Sequence, residues 1–152
     1  METLQGVITG IRTIRSQMNV PPARKGEVVI KVAGDHSQLI REYLEIIQSL
    51  TRIQDITIDP EATKPPHSAV AVTGGMEIYM PLEGLIDLAL EQRRLKKRFD
   101  EVMGYIQGIE RKLANENFLT RAPQQVIERE REKLQTLSTE LEKVQSNLEM
   151  LQ

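Results

Sequence analysis

The sequence predicts an α+β protein in two parts. The first is a small α/β layer, made of one strand, a helix and three further strands. The second is a long antiparallel two-helix coiled-coil hairpin. Three observations carry this reading. Between residues 26 and 82, short β-rich runs alternate with glycine and proline punctuation around one helical stretch. Between residues 85 and 151, apolar residues advance in steps of three and four along two segments separated by a proline-bearing break. Across the 152 residues, aromatic side chains make up 3%, charged ones 28% and apolar ones 39%, a balance that suits narrow helical seams better than one wide core.

Leu4, Val7, Ile8, Ile11, Ile14 and Met18 form an apolar stripe at helical spacing, with Arg12 and Arg15 off it. Pro21 and Pro22 end this helix. Its stripe must lean on the next segment, or it closes a bundle whose other helices lie elsewhere. The run GEVVIKVAG from Gly26 reads as a strand ended by Gly34. DHSQLIREYLEIIQSL then reads as one helix capped by Asp35 or Ser37, with Leu39, Ile40, Tyr43, Leu44, Ile47 and Leu50 on its buried face. RIQDITID alternates as a second strand, and the proline-rich PEATKPPHS is a loop. AVAVTGGMEIYMPL reads as a hairpin whose Gly74 and Gly75 accept the positive φ angles of a tight turn, and Pro81 ends the sheet.

The first arm seam runs Leu85, Leu88, Gln92, Leu95, Phe99, Val102, Ile106, Ile109 and Leu113. The second runs Ile127, Glu130, Leu134, Leu137, Leu141, Val144, Leu148 and Leu151. In an antiparallel hairpin, facing residue numbers have a constant sum. Here that sum is 236, which sets Gln92 against Val144 and Glu130 against Ile106. Between the seams lies ANENFLTRAPQQ, where Asn115, Asn117 and Pro123 break the periodicity. At about 1.5 Å per residue, the first seam makes an arm roughly 40 Å long.

The chain has no cysteine and two histidines, His36 and His67, far apart in sequence. Disulfides, thiol nucleophiles and cysteine metal sites are excluded, and no metal site is expected. The longest largely apolar stretches, residues 68–72 and 85–90, the latter interrupted by Asp87, fall well short of the about 18–20 residues of a membrane span. No signal-peptide pattern follows Met1, so a cytoplasmic, membrane-free protein is expected. The net charge of −2 is spread evenly: residues 1–83 hold 8 basic and 10 acidic side chains, and residues 84–152 hold 12 of each. That excludes a globally basic nucleic-acid binder but leaves room for local basic patches.

No catalytic residue, metal ligand or cofactor-binding residue is expected. No glycine-rich loop follows a strand to cradle phosphate, no Ser or Thr has a His and acid partner, and no acidic cluster has metal spacing. Glu128, Glu130 and Glu132 alternating with Arg129, Arg131 and Lys133 read as a solvated helix face.

Two basic groups on the arm stand out. RRLKKR places Arg93, Arg94, Lys96, Lys97 and Arg98 around Leu95, opposite Glu140 and Glu142, so a salt-bridged face competes with a binding face. Arg111, Lys112 and Arg121 converge at the hairpin tip beside Asn115, Asn117 and Phe118, with only Glu110 and Glu116 close by. Arginine and lysine suit phosphates, asparagine suits base edges or backbone, and phenylalanine suits the face of an unstacked base. The competing reading is that Phe118 and Leu119 fold in to close the end of the seam.

The run LEGLIDLALEQRRLKKRF, followed by KLANENFLTRAPQQVIEREREKL, resembles the C-terminal arm of the valyl-tRNA synthetases. The matching positions are Lys112, Leu113, Asn115, Asn117, Phe118, Ala122, Pro123, Val126, Glu130, Lys133 and Leu134. IRTIRSQMNVPPARK is similar to the closing helix of the anticodon-binding domain shared by the synthetases for valine, isoleucine and leucine. The resemblance implies a fragment divided into the last helix of the anticodon-binding bundle (1–20), a small α/β subdomain (21–82) and a coiled-coil tRNA-binding arm (83–152). It implies a parent that is an ATP-dependent valine–tRNA ligase, with the ATP, amino-acid and editing sites outside these residues. The implied partners are tRNA(Val), held mainly at its elbow where the D and T loops meet, and the remainder of the parent chain, with the fragment a monomer. Arg111, Lys112, Asn115, Asn117, Phe118 and Arg121 are the expected tip contacts, and Arg93, Arg94, Lys97 and Arg98 the secondary ones. A coiled-coil interaction or dimerisation module is the alternative function.

Overall fold

The computed structural model describes residues Met1–Gln152 as two compact units, Met1–Ala89 with Met150–Gln152, and Leu90–Glu149. The first unit is a four-stranded mixed sheet covered by helices. Its elements are α1 (Glu2–Gln17), β1 (Gly26–Lys31), α2 (Asp35–Glu42), α3 (Leu44–Thr51), β2 (Ile53–Ile58), β3 (Ser68–Thr73) and β4 (Met76–Pro81), in sheet order β2-β1-β4-β3. β1 and β2 run parallel, joined by the helical crossover that parallel strands require. β4 pairs antiparallel with both β1 and β3. The β3–β4 hairpin closes through Gly74 and Gly75 at φ 52° and 80°, where a side chain would be strained.

The stripe of α1 finds its partners within the chain. Leu4, Val7, Ile11, Ile14 and Met18 are all buried, and the helix lies on β3 and β4 beside α3. Glycine permits this approach: a Cβ on Gly10 would stand 3.2 Å from Ile78 Cδ1, and one on Gly6 would stand 2.5 Å from Thr73 Oγ1. The other side of α1, with Gln5, Thr9, Thr13 and Gln17, is exposed and polar.

Three expectations for this unit need correction. The helix after β1 is two helices, because Tyr43 (φ −113°, ψ 22°) leaves helical geometry and its amide closes a short turn onto the Ile40 carbonyl at 3.2 Å. Neither Asp35 nor Ser37 caps it; Gly34 occupies the cap, and the Ser37 hydroxyl instead donates to the Gly34 carbonyl at 2.7 Å. The break also changes which residues face inward. Ile40 and Ile47 are fully buried, whereas Leu50 is 47% exposed.

The second unit is the arm. α4 (Leu88–Ala114) and α6 (Gln124–Met150), 27 residues each, pack against each other as a hairpin through α5 (Glu116–Arg121). Each long helix spans about 40 Å. Between Gln92 and Leu148 every seam position is buried or half-buried. Leu95, Val102, Ile106, Ile109, Ile127 and Val144 are the most enclosed. Ion pairs Arg98–Glu140 and Lys112–Glu130 cross between the helices.

Candidate nucleic-acid interface at the hairpin tip

The tip is built by a helix end, a capped turn and a helix start. Arg111 and Lys112 lie in the last turn of α4, where cations complement the carbonyl end of the helix. Asn115 then leaves helical geometry (φ −87°, ψ 112°) and its side-chain oxygen accepts from the Asn117 amide at 3.0 Å, capping α5. The stretch that reads in sequence as a break in periodicity is therefore a short helix flanked by turns. Phe118 to Ala122 closes it, with the Ala122 amide donating to the Phe118 carbonyl at 2.9 Å. Pro123 precedes α6 and accepts from the Val126 amide at 3.0 Å.

All six expected tip residues sit on this turn and its flanking helix ends, five of them exposed, with Phe118 half-buried. Phe118 and its neighbour divide the two readings of the aromatic residue: Phe118 is partly covered, and Leu119 remains 38% exposed. Asn115 carries a structural duty as the cap, while the Asn117 side chain projects from an exposed position.

Charge is distributed unequally between the two basic groups. On the shaft, Arg94 Nε donates to Glu91 at 3.0 Å, and Arg98 donates to Glu140 at 2.7 Å and to Glu101 at 3.3 Å. Those carboxylates hold both guanidinium groups above their ordinary pKa, Arg98 chiefly through its bond to Glu140 and Arg94 chiefly through Glu91. Arg93 and Lys97 are exposed in the same two turns, and Lys97 has no carboxylate within 4 Å. At the tip, Arg111 and Arg121 are exposed and make no ion pair, so their charge is available to an incoming anion.

Lys112 differs from the sequence reading, which gives it only Glu110 and Glu116 as neighbours. Its Nζ lies 3.9 Å from Glu130, which is buried in the seam and also holds Lys133 at 3.6 Å. Glu130 is therefore part of the seam and not of a solvated face. Its heptad position was the available signal. Beside it runs a shallow groove that includes Gly104, Tyr105, Gly108, Lys112 and Lys133, with Tyr105 57% exposed. Tyr105, an aromatic off the seam between two glycines, is the kind of residue a nucleic-acid face uses, and its off-heptad position is the signal the sequence carries for it.

No three His, Asp or Glu side chains are placed together to hold a metal ion. His36 Nδ1 lies 2.9 Å from the Thr3 hydroxyl, and His67 Nδ1 lies 2.9 Å from the Leu151 carbonyl. No helix is long and apolar enough to cross a membrane.

The chain thus comprises an antiparallel helical hairpin with a basic tip and a separate small α/β unit. The sequence model of the family described as valyl tRNA synthetase tRNA binding arm matches residues 87–152. Over nearly the whole chain, similarity extends to valine–tRNA ligases. The protein of Carboxydothermus hydrogenoformans is 36% identical across 99% of this chain and 17% of its own length. That of Syntrophotalea carbinolica is 38% identical with the same coverage. That of Geobacillus stearothermophilus is 35% identical across 97% of this chain and 17% of its own length. Together these similarities support a C-terminal fragment of a valyl-tRNA synthetase. It spans about one sixth of the length of the relatives it matches, 17% for each of these three.

Proposed function

We propose that the arm binds tRNA at its elbow, the corner where the D and T loops meet, and so helps orient the acceptor end for ligation of valine to tRNA(Val) by the complete protein. The observation that carries this reading is the tip itself, in a stretch that matches a tRNA-binding-arm family: Arg111 and Arg121 exposed without acid partners beside Asn117 and a half-exposed Phe118. Phosphate contacts from the two arginines position the arm. The Phe118 ring and Asn117 amide take an exposed base. Lys112, shared with Glu130, contributes less than either arginine. Along the shaft, Lys97 and Arg93 add contacts, while Arg94 and Arg98 remain tied to their carboxylates.

This assigns the chain no chemistry of its own. In the complete protein, ATP-dependent activation of valine belongs to other domains, while residues 1–20, whose apolar stripe packs on this chain's own sheet, belong with the α/β unit. The setting is cytoplasmic and the chain monomeric.

Replacing Lys112 and Arg121 by alanine together should weaken binding of folded tRNA. It should also lower the magnitude of the slope of log K against log salt by roughly 0.7–0.9 for each phosphate left without its cation. A titration monitored by fluorescence anisotropy measures both, with a tRNA whose D and T loops no longer pair as control. An unchanged slope sinks the tip assignment. Equal affinity for the two RNAs sinks the elbow. A stable dimer in light scattering, indifferent to tRNA, would favour a dimerisation module instead.

A further inference from the structure

The α/β unit holds a second concentration of positive charge that the arm does not account for. Arg15 of α1, which reads in sequence as lying off the buried stripe, is only 9% exposed. Its guanidinium donates to the carbonyls of Pro21 at 2.9 Å and Arg24 at 2.6 Å, and reaches that of Arg52 at 3.5 Å. Arg52 in turn donates to Pro22 at 3.0 Å, Arg24 donates to Gly84 at 2.7 Å, and Arg12 donates through Nε and Nη2 to Leu50 at 3.3 and 3.2 Å. Main-chain oxygens thus fasten four arginines: Arg15, Arg24 and Arg52 at the Pro21–Pro22 loop, and Arg12 at the end of α3, on the Leu50 carbonyl two residues before Arg52. Lys25 stands exposed next to them.

The kind of partner matters. A carbonyl orients a guanidinium but does not cancel its charge, and of the five donors on each guanidinium these bonds use three on Arg15, two on Arg12 and one each on Arg24 and Arg52. Ion pairs gather on the arm, and none involves Arg12, Arg15, Arg24, Lys25 or Arg52. Glu27 and Asp55 face each other across β1 and β2, and Glu83, next to the Gly84 that Arg24 holds, forms no ion pair with that arginine. Burial, and then the like charge of Arg52, lower the pKa of Arg15 from its ordinary value, as expected where no anion relieves the repulsion. Arg52 also occupies the left-handed cap of α3 at φ 58°, a position that favours glycine, so its side chain is present against the backbone preference.

We propose that Arg12, Arg24, Lys25 and Arg52, held in place around the proline loop by Arg15, form a second RNA-backbone site that takes phosphate groups. It rests on the reading of the chain as tRNA-binding and adds a contact in the other compact unit. The forked, planar donors of arginine match phosphate oxygens, and Pro21 and Pro22 fix the loop before the ligand arrives. The arginines are exposed apart from Arg15, so an RNA strand can approach without unfolding anything.

The test uses the 152-residue chain and folded tRNA in salt titrations between about 50 and 200 mM. Arg12→Gln with Lys25→Gln leaves Arg15, Arg24 and Arg52 to hold the loop. This pair should weaken binding several-fold and reduce the slope by roughly 1.5 for two phosphate contacts. Arg12→Lys keeps the charge without the fork, so it should keep the salt slope of the unaltered chain and lose less affinity than the glutamine pair; if it loses as much slope and affinity as that pair, the effect is structural and the proposal falls. An unchanged slope in the glutamine pair, alongside a reduced slope in Lys112→Ala with Arg121→Ala, overturns this site alone. Unchanged slopes in both overturn the tRNA reading beneath it. Polyglutamate of equal charge that competes for the Arg12- and Lys25-dependent part as well as tRNA does would assign the cluster to an acidic protein surface and overturn the RNA site.

Discussion

The two units solve the same problem, how to hold arginines and lysines on a small structure, in opposite ways. In the α/β unit, side chains from a sheet and three helices enclose one another: Val7, Ile11, Ile30, Ile40, Ile47, Ile78 and Met80 have no exposed surface. Its arginines bind carbonyls of loops and helix ends. In the arm, two helices meet along one strip. Only Val102 is completely enclosed there, a carboxylate occupies a seam position, and the cations flanking the seam, Arg98, Lys112 and Lys133, bind carboxylates. A layer of sheet and helix can bury apolar residues on several sides and leave charge unneutralised at its margins. A two-helix strip has less to enclose, so ion pairs become part of its lateral contacts, and its uncancelled cations, Arg111 and Arg121, lie at the tip, off the seam.

The sharpest way to break this comparison is to remove the same atoms from both units. Ile78 faces Gly10 of α1 from a central strand and is fully buried, whereas Ile106 lies in the arm seam at 7% exposure. Ile78→Ala should cost toward the upper end of about 2–5 kcal/mol, because a sheet pinned between neighbours cannot collapse into the cavity. Ile106→Ala should lie at the lower end, since two helices can close on the gap. Urea unfolding followed by circular dichroism measures both, and an equal or larger destabilisation at Ile106 would show that the arm packs as tightly as the sheet.

Glu130 sharpens the same contrast electrostatically. Replacing a buried charged residue and its partners by apolar packing is often neutral, or stabilising by about 1–4 kcal/mol. Here Lys112 and Lys133 are both exposed and return to water at little cost, so Glu130→Leu should fall at the low end of that range, with a melting temperature unchanged or slightly raised. It also releases two lysines beside the tip. Affinity for tRNA and the salt slope should both rise. A marked drop in melting temperature would mean that Glu130 fixes the register of the hairpin and does more than interrupt its seam.

How much of the fold is legible in the sequence follows from the range of each interaction. Strands, the Gly74–Gly75 turn and both seams are legible, because alternation, heptads and glycine pairs are local patterns. The break at Tyr43 is not, since no glycine or proline marks it and the apolar spacing runs through. Arg15 reads as outward because arginine ordinarily is; its burial depends on Pro21, Arg24 and Arg52, brought together by a loop and by a helix more than thirty residues on. At the tip the residue types are legible but their duties are not. Glu130 is visible as a polar seam position, yet its hold on Lys112 exists only after the hairpin closes. α5 has six residues and no seam, so nothing in periodicity announces it.

The smallest effect separates structure from contact within that tip. Asn115 caps α5 through the Asn117 amide, and Asn117 presents its own side chain outward. Losing an asparagine cap costs about 1 kcal/mol, which a six-residue helix cannot spread over further turns. Asn115→Ala should therefore leave global unfolding nearly unchanged while amides of residues 117–121 exchange faster, and tRNA affinity should fall modestly because Arg121 and Phe118 ride on the loosened helix. Asn117→Ala should lower affinity without altering exchange, since its amide still meets the cap. Hydrogen exchange read beside tRNA titration distinguishes the two. If Asn117→Ala speeds exchange as much as Asn115→Ala does, both asparagines serve the turn, and the arginines with Phe118 are left to make the contact.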